Sequence, residues 1–588
     1  MLSKTTTLLY ILLIPGLCSA VASDSVFRPP LQQARCRNVP GSLGFPTNDD
    51  FSILNKTVSG RLVKVVPFVE YCTSIGGCTF EQFTSSLYRD GVPGAMNQVN
   101  WEQDFSSNPP SLCQPQSPSS CGQGDVPLFG ILANTVADIQ AGVNFARIHN
   151  LRLAIKSSGH DYLGRSTAKN SFLISTHNMQ NYTFVDDFVS GGKNLGPAVT
   201  VQSGVALSTM YAAAKAQGRF VVGGTASTVA AAGGYVQGAG HSSMSPFLGL
   251  AADNCLELNV VVADGQLVRA NAVENSDLFW AMRGGGAGSW GVIVSATFRT
   301  FPTFNAAVSL MTLIARTVDQ MAEVAAVHAK HIFDWDVLHA GQYFYLSTSG
   351  LFDTVNFITH GPGSNIPTMI IYTYFPNATV DQANTALQPF RDDLLQITGV
   401  NRTENVILTE INEILYASDD IVGSNMVMGS RLIPASAYRD PALVGKVYSQ
   451  LLKQGGVQNI LLNLVAGGKV SENADISNAV HPAWRTAKTH LIIANNWADS
   501  ASIDQVRGNQ TIFGRQQLPI LEQISGQAAG AYSNEADSLE ANFQTTFFGP
   551  NYPKLSAIKA KYDPTDLFIV KAGVGSERWD AYGICRMQ

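Results

Sequence analysis

Lys156-Ser157-Ser158-Gly159-His160-Asp161 ends a short apolar-alternating run at residues 151–156 and turns away from it on three small residues. Such a turn leaves consecutive backbone N–H groups able to converge on an anion, a nest for phosphate oxygens that needs no helix. His160, at the exit, is placed to act as a nucleophile or a covalent anchor, although a loop histidine by itself is more often only hydrogen-bonded.

Working outward, Val136, Ile139, Val143 and Ala146 recur at helical spacing and predict a helix before the run at 151–156. Leu207, Tyr211 and Ala214 share one face of a second predicted helix, which stops at Gly218. Then comes Gly223-Gly224-Thr225-Ala226-Ser227-Thr228-Val229-Ala230-Ala231-Ala232-Gly233-Gly234, followed by Gly238-Ala239-Gly240-His241. Side chains this small leave room for something large and flat, and they let backbone amides approach it. The interleaved apolar residues argue against a flexible loop, as does the strand at 256–263, which ends in an Asp264-Gly265 hairpin turn.

Several motifs fail on inspection. Gly286-Ala287-Gly288-Ser289-Trp290-Gly291 spells G-x-G-x-x-G, but a β-branched strand at 292–299 follows it where a dinucleotide fingerprint needs a helix. The chain has neither a P-loop nor a G-x-S-x-G nucleophile elbow. His328 and His331 form an H-x-x-H pair without a third ligand, which predicts a solvated helix face, and no metal is expected.

Composition bounds the class. Lys+Arg 38 against Asp+Glu 44 gives a net charge of −6, with 45% hydrophobic and 14% charged residues among 588. A chain so poor in charge builds a large core, and without a basic run it is not expected to bind nucleic acid. Residues 1–22 read as a secretory signal, with Lys4, an apolar run at 8–17 and Ala20-Val21-Ala22. No later stretch is long enough to span a membrane. Sequons begin at Asn55, Asn181, Asn377, Asn401 and Asn509, and glycans there would sit on surface loops. The destination is therefore the secretory pathway, whether outside the cell or in a vacuole or vesicle lumen.

Beyond Cys18 there are seven cysteines, and Cys255, in an apolar context, is the one expected to be free. The other six allow 15 pairings. Cys72 with Cys78 and Cys113 with Cys121 are near enough to close local loops, and Cys36 with Cys585 would then staple the ends. Residues 23–122, rich in Pro and Cys, read as an extension held by disulfides.

In this order the motifs resemble the FAD-linked oxidases of the vanillyl-alcohol oxidase type, in the berberine-bridge-enzyme-like branch. The resemblance rests on Ser157 to Tyr162, on Val201-Gln202-Ser203-Gly204-Val205 and on the Gly/Ala run. It continues through Gly249-Leu250-Ala251-Ala252-Asp253-Asn254 and Asp277-Leu278-Phe279-Trp280-Ala281-Met282-Arg283-Gly284-Gly285-Gly286. It closes with Phe548-Gly549-Pro550-Asn551-Tyr552-Pro553-Lys554-Leu555 and Tyr562-Asp563-Pro564. Ala483-Trp484-Arg485 and Tyr532-Ser533-Asn534-Glu535-Ala536-Asp537 are similar to the secreted fungal oxidases of the isoamyl-alcohol-oxidase kind.

The resemblance implies an α+β fold: a two-subdomain PCMH-type FAD-binding domain at 123–303 and an α+β substrate domain with a large antiparallel sheet at 304–545. A C-terminal segment at 546–588 returns to the FAD domain. It implies FAD as cofactor, its pyrophosphate held by Lys156, Ser157, Ser158, Gly159 and Asp161 and its ring bonded covalently to His160. Thr225, Ala226, Val229, Ala230, Gly233, Gly234, Gly238, Gly240, His241, Val261 and Asn551 complete the expected cofactor site. Many relatives carry a second link through a cysteine where this chain has Ala226, so attachment at His160 alone is expected. Val229 stands where side-chain bulk controls oxygen access, and its small size points to an oxidase.

The expected reaction takes a hydride from an alcohol or a natural-product intermediate, in secondary metabolism, and passes electrons to O2 to give H2O2. Tyr532 is the first choice for the base, with His481 and Arg485 behind it. The alternatives are an oxidative cyclase, a carbohydrate oxidase, and a secreted glycoprotein that binds flavin without turnover. Sequence names neither substrate nor oligomeric state.

Overall fold

The computed structural model describes residues 35–348, 366–415, 421–453 and 456–587. The leader expected at 1–22, with Cys18, lies outside the described residues. Thr135 caps the helix Val136–Ile148 through a capping box with Asp138. The apolar face of that helix, Ile139, Val143 and Ala146, is fully buried. It meets Ile131, Leu153, Phe172 and Ile174 of a four-stranded sheet ordered Leu62–Lys64, Phe129–Leu132, Ser171–Ser175, Arg152–Lys156. The last three strands run parallel and the first antiparallel. The same core takes Val261, Val292 and Val294 from a five-stranded antiparallel sheet. Two sheets thus share one helix and one core, and the turn after Lys156 emerges at their edge.

A third large sheet has seven strands, all antiparallel, in the order Asn401–Glu410, Asn305–Ile314, Thr368–Pro376, Gly341–Ser347, Asn459–Leu464, Ala487–Trp497, Asn425–Pro434. The period-2 alternation of a strand divides its side chains between two cores. Ala306, Val308, Tyr343 and Tyr374 join the core shared with the Gly/Ala run. Ala307, Met311, Phe344 and Phe375 pack under the helices Val318–His331, Val380–Leu394 and Pro441–Lys453. The fold is α+β with a large antiparallel sheet, as expected.

His328 and His331 correct an expectation, because both are buried and neither lies on a solvated helix face. His328 Nε2 meets Gln342 Oε1 at 2.8 Å among Trp335, Phe344 and Phe390, and His331 lies between Asp334 and Asp393. Residues 36–122 show little periodicity, yet they contain the helices Asn48–Thr57 and Phe68–Ser74, and Leu62–Lys64 pairs into the first sheet. Helices this short depend on tertiary packing, so their pattern is faint in sequence.

Disulfides join Cys36 to Cys585, Cys72 to Cys78 and Cys113 to Cys121, and Cys255 is free and buried. The C-terminal helix Tyr552–Tyr562 packs back through Leu555 and Ile558. Its buried Lys559 binds Asp563 and donates to the carbonyls of Ser289, at 2.8 Å, and Phe568, at 2.6 Å. Among the described residues no helix is long and apolar enough to cross a membrane.

Candidate active site

A cavity enclosing about 1120 Å³ of atom-free space, its open mouth included, lies between the turn after Lys156, the Gly/Ala run and the 532–535 segment. One wall is the turn Ser157, Ser158, Gly159, His160 and Asp161 with Arg165, and a second is Ala226, Val229, Ala230, Gly233 and Gly234. Ala287, Gly288, Gly291 and Ile293 form a third, and Tyr532, Asn534 and Glu535 close the rest. Thr225, Gly238, Gly240, His241, Val261 and Asn551 are not in these walls.

The turn is tied at every step. Ser157 Oγ meets Thr176 Oγ1 at 3.0 Å, and the Asp161 carboxylate accepts from the backbone N–H groups of Leu163, at 3.1 Å, and Ser166. His160 Nε2 lies 2.5 Å from Thr228 Oγ1, and the Thr228 hydroxyl donates to Ser86 Oγ at 2.8 Å. Lys156, expected at the phosphates, points elsewhere. Ile155 lines the cavity, so the next side chain of the strand faces away, and Lys156 Nζ donates to the Val92 carbonyl at 2.7 Å.

The walls fit FAD. Two of their buried polar atoms, Ser203 Oγ and Gln237 Oε1, have no hydrogen-bond partner among the described residues, which leaves them to a ligand. A Cβ on Gly233 would stand 3.2 Å from Ser157 Oγ, and one on Gly288, whose φ is +81°, 2.5 Å from Val570 Cγ1. Glycine keeps both surfaces flat and close, and at Gly288 no other residue would do so without strain. Arg165 is buried in the wall, and desolvation lowers its pKa only to about 10, so it stays cationic where an anion such as a diphosphate would lie. The sequence reading missed Arg165, although it stands four residues beyond Asp161 in the same loop.

The other conspicuous feature is a cluster of titratable groups. Glu535 Oε2 lies 3.2 Å from His241 Nε2 and 3.4 Å from His490 Nδ1. The three ligand-type atoms lie within 4.8 Å of one another, and His241 Nδ1 meets the Tyr343 hydroxyl at 3.2 Å. The Tyr532 ring packs edge-on to both imidazoles. Burial raises the carboxyl pKa of Glu535, but the charge and hydrogen bond of His241 outweigh it, so the group stays below its ordinary value. Burial pushes His490 down to about 3 and holds it neutral. Burial also raises the Tyr532 phenol far above neutrality, where it keeps its proton and accepts from Asn534 Nδ2 at 3.0 Å. Sequence reading had put His241 on the cofactor and left Glu535 and His490 unassigned. His241 and Glu535 stand 294 positions apart, so only the fold joins them.

The remaining candidates hold structure together. His481 Nδ1 accepts from the Ala483 backbone at 3.0 Å and its Nε2 faces the Thr545 carbonyl, outside the cavity walls. Arg485 forms a two-pronged pair with Asp253 at 2.8 and 2.9 Å. Asn551 donates to the carbonyls of Ala479 and Val480. Val261 is fully buried in the inter-sheet core, and Gly240, at φ +72°, packs against Tyr235 and Ala251.

The buried imidazoles set an acid limit. His490 and His328 are lowered to about 3 and about 4, so as pH falls below about 6.5 the unfolded chain takes up protons that the folded one refuses. Each histidine should remove about 1.4 kcal/mol of stability per pH unit between about 6.5 and its folded value. Urea unfolding midpoints should drop from pH 6.5 to 5, and a flat profile there would contradict the burial of both rings.

Residues 127–271 match the family model of the FAD binding domain, and residues 531–575 match that of berberine and berberine-like proteins. An uncharacterized FAD-linked oxidoreductase of Arthroderma benhamiae is 36% identical over 576 residues, spanning 94% of this chain and 96% of its own. The crystal structure of the VAO-type flavoprotein MtVAO615 from Myceliophthora thermophila C1 superposes with a TM-score of 0.82 at 30% identity, over 94% of this chain and 100% of that one. The glucooligosaccharide oxidase of Acremonium strictum, with its 6-S-cysteinyl, 8α-N1-histidyl FAD, shares the fold at a TM-score of 0.60 and 19% identity, over 77% of this chain and 92% of its own. With a relative this similar along nearly the whole of both chains, and a cavity whose walls fit the cofactor, the chain belongs to the FAD-linked oxidoreductases of the vanillyl-alcohol oxidase and berberine-bridge-enzyme-like family.

Proposed function

We propose that this protein is an FAD-dependent oxidase that takes a hydride from a carbon bearing a hydroxyl, in a small alcohol or a natural-product intermediate of secondary metabolism. The observation that carries the reading is an ionised Glu535 in the cavity wall, hydrogen-bonded to His241 and with His490 beside it. Bound FAD supplies the hydride acceptor and passes the electron pair to dioxygen, which leaves as hydrogen peroxide.

Glu535 accepts the proton of the substrate hydroxyl. A carboxylate held below its ordinary pKa is a weak base, but a hydroxyl whose carbon is losing a hydride is becoming a protonated carbonyl, so a weak base suffices. Tyr532, fixed in its protonated form, is a hydrogen-bonding group that orients the substrate oxygen. Val229, a small side chain in the cavity wall, would leave space for oxygen at the bound cofactor. His160 would hold the flavin by one covalent bond, and Ala226 offers no thiol for a second bond of the kind in the Acremonium enzyme.

The three disulfides support an oxidising, secretory location. So do the sequons: Asn181 and Asn377 are exposed on loops and Asn401 is exposed at the start of an edge strand, while Asn55 and Asn509 are half-buried on helices, so that three of the five are not on loops.

A panel of primary, secondary and benzylic alcohols and of sugars, followed by peroxide release and anaerobic bleaching of the flavin, tests the reading. Peroxide from at least one alcohol is expected. Turnover of sugars alone would replace the alcohol reading with carbohydrate oxidation, and a flavin that no member bleaches would end the oxidase reading.

A further inference from the structure

The N-terminal extension reaches the strand end at Lys156, the cofactor turn and the Gly/Ala run, at one point each. The Val92 carbonyl accepts from Lys156 Nζ at 2.7 Å, the Asn97 N–H donates to the Gly159 carbonyl at 3.2 Å, and Ser86 Oγ accepts from the Thr228 hydroxyl at 2.8 Å. Ser86 is fully buried at the start of the short helix Ser86–Asp90. We infer that Ser86 and Thr228 are positioning residues for flavin attachment, setting the tautomer of His160 and carrying away its proton. The inference rests on the covalent His160 of the proposed function.

A threonine hydroxyl has a single proton, and here it goes to Ser86. Thr228 Oγ1 can therefore meet His160 only as an acceptor, so the His160 proton resides on Nε2. In a neutral imidazole this puts the ring lone pair on Nδ1 and makes that atom the nucleophile. A hydrogen bond at the far nitrogen also raises the basicity of the near one.

The attachment balances as follows. A bond forms between His160 Nδ1 and the methyl carbon of the flavin ring, that methyl loses one proton, and the imidazole loses the other from Nε2 through Thr228. The electron pair from the broken C–H bond enters the ring system and is taken by dioxygen, which with the two protons becomes hydrogen peroxide. The extension, with two of its own disulfides, is on this reading part of the cofactor site and not a decoration of it.

The test uses full-length protein produced under flavin limitation, then given FAD in air, with total bound flavin and acid-precipitable flavin followed over time. Thr228→Val should bind FAD to the same extent but attach it about tenfold more slowly, the loss expected for one hydrogen bond. Thr228→Ser should restore the rate, and Ser86→Ala should slow it while leaving the cavity wall intact. Wild-type rates in Thr228→Val overturn the inference; should that variant not fold, a wild-type rate in Ser86→Ala does so. If the wild-type protein itself releases all its flavin in acid, the covalent His160 falls first, and this inference with it.

Discussion

Acid precipitation of the purified protein should carry its yellow colour into the pellet, and His160→Ala should move that colour into the supernatant or abolish it. The expected effect is all or none, because His160 is the one imidazole among the wall residues and Ala226 offers a methyl group in place of a thiol. Binding itself should survive in part. Arg165, the Ser157–Asp161 backbone and the unpartnered Ser203 and Gln237 atoms all remain in the variant. A visible spectrum of pellet and supernatant reads the outcome directly, and colour retained in the pellet of His160→Ala would place the bond at another residue.

Glu535→Gln should be the most damaging change that leaves the flavin in place. General-base catalysis contributes about 10²–10⁴-fold, and the amide keeps the shape of the carboxylate while losing its proton affinity. With an alcohol identified by the panel, anaerobic flavin reduction should slow by that order while the acid-stable flavin content is unchanged. His241→Gln should slow it less, since it leaves the carboxylate but removes the nearer of its two imidazoles. If Glu535→Gln reduces at the wild-type rate and Tyr532→Phe does not, the proton goes to the phenol, against the burial that holds it protonated.

Sequence reading reached those parts of the site that are local. The turn after residue 156 announces itself because small residues stand next to one another, and the Gly/Ala run because so many do. Both reach the cavity wall. Parity decided where reading failed inside these stretches: Lys156 is adjacent to the nest in sequence but on the opposite face of its strand from Ile155. Distance decided the rest. Glu535 sits in a quoted motif beside Tyr532, yet nothing local distinguishes a carboxylate that will meet His241 and His490 from one that will meet water. His328 went wrong for a related reason, since an H-x-x-H spacing says which face two side chains share but not what covers it. Thr228 lay within the run and went unremarked, because its role exists only when a helix from the extension delivers Ser86.

The Cys36–Cys585 bond joins residues 549 positions apart. Between them the chain is topologically a ring, and the cavity draws its walls from widely separated arcs of it. A protease that cuts one exposed loop therefore opens the ring without dividing the molecule. The two arcs stay bonded through the former ends, and the wall residues they carry have a covalent reason to stay together. For the same reason a new pair of termini could be cut into a surface loop and the old ones fused with little change in connectivity. A chain closed in this way would tolerate the first cut.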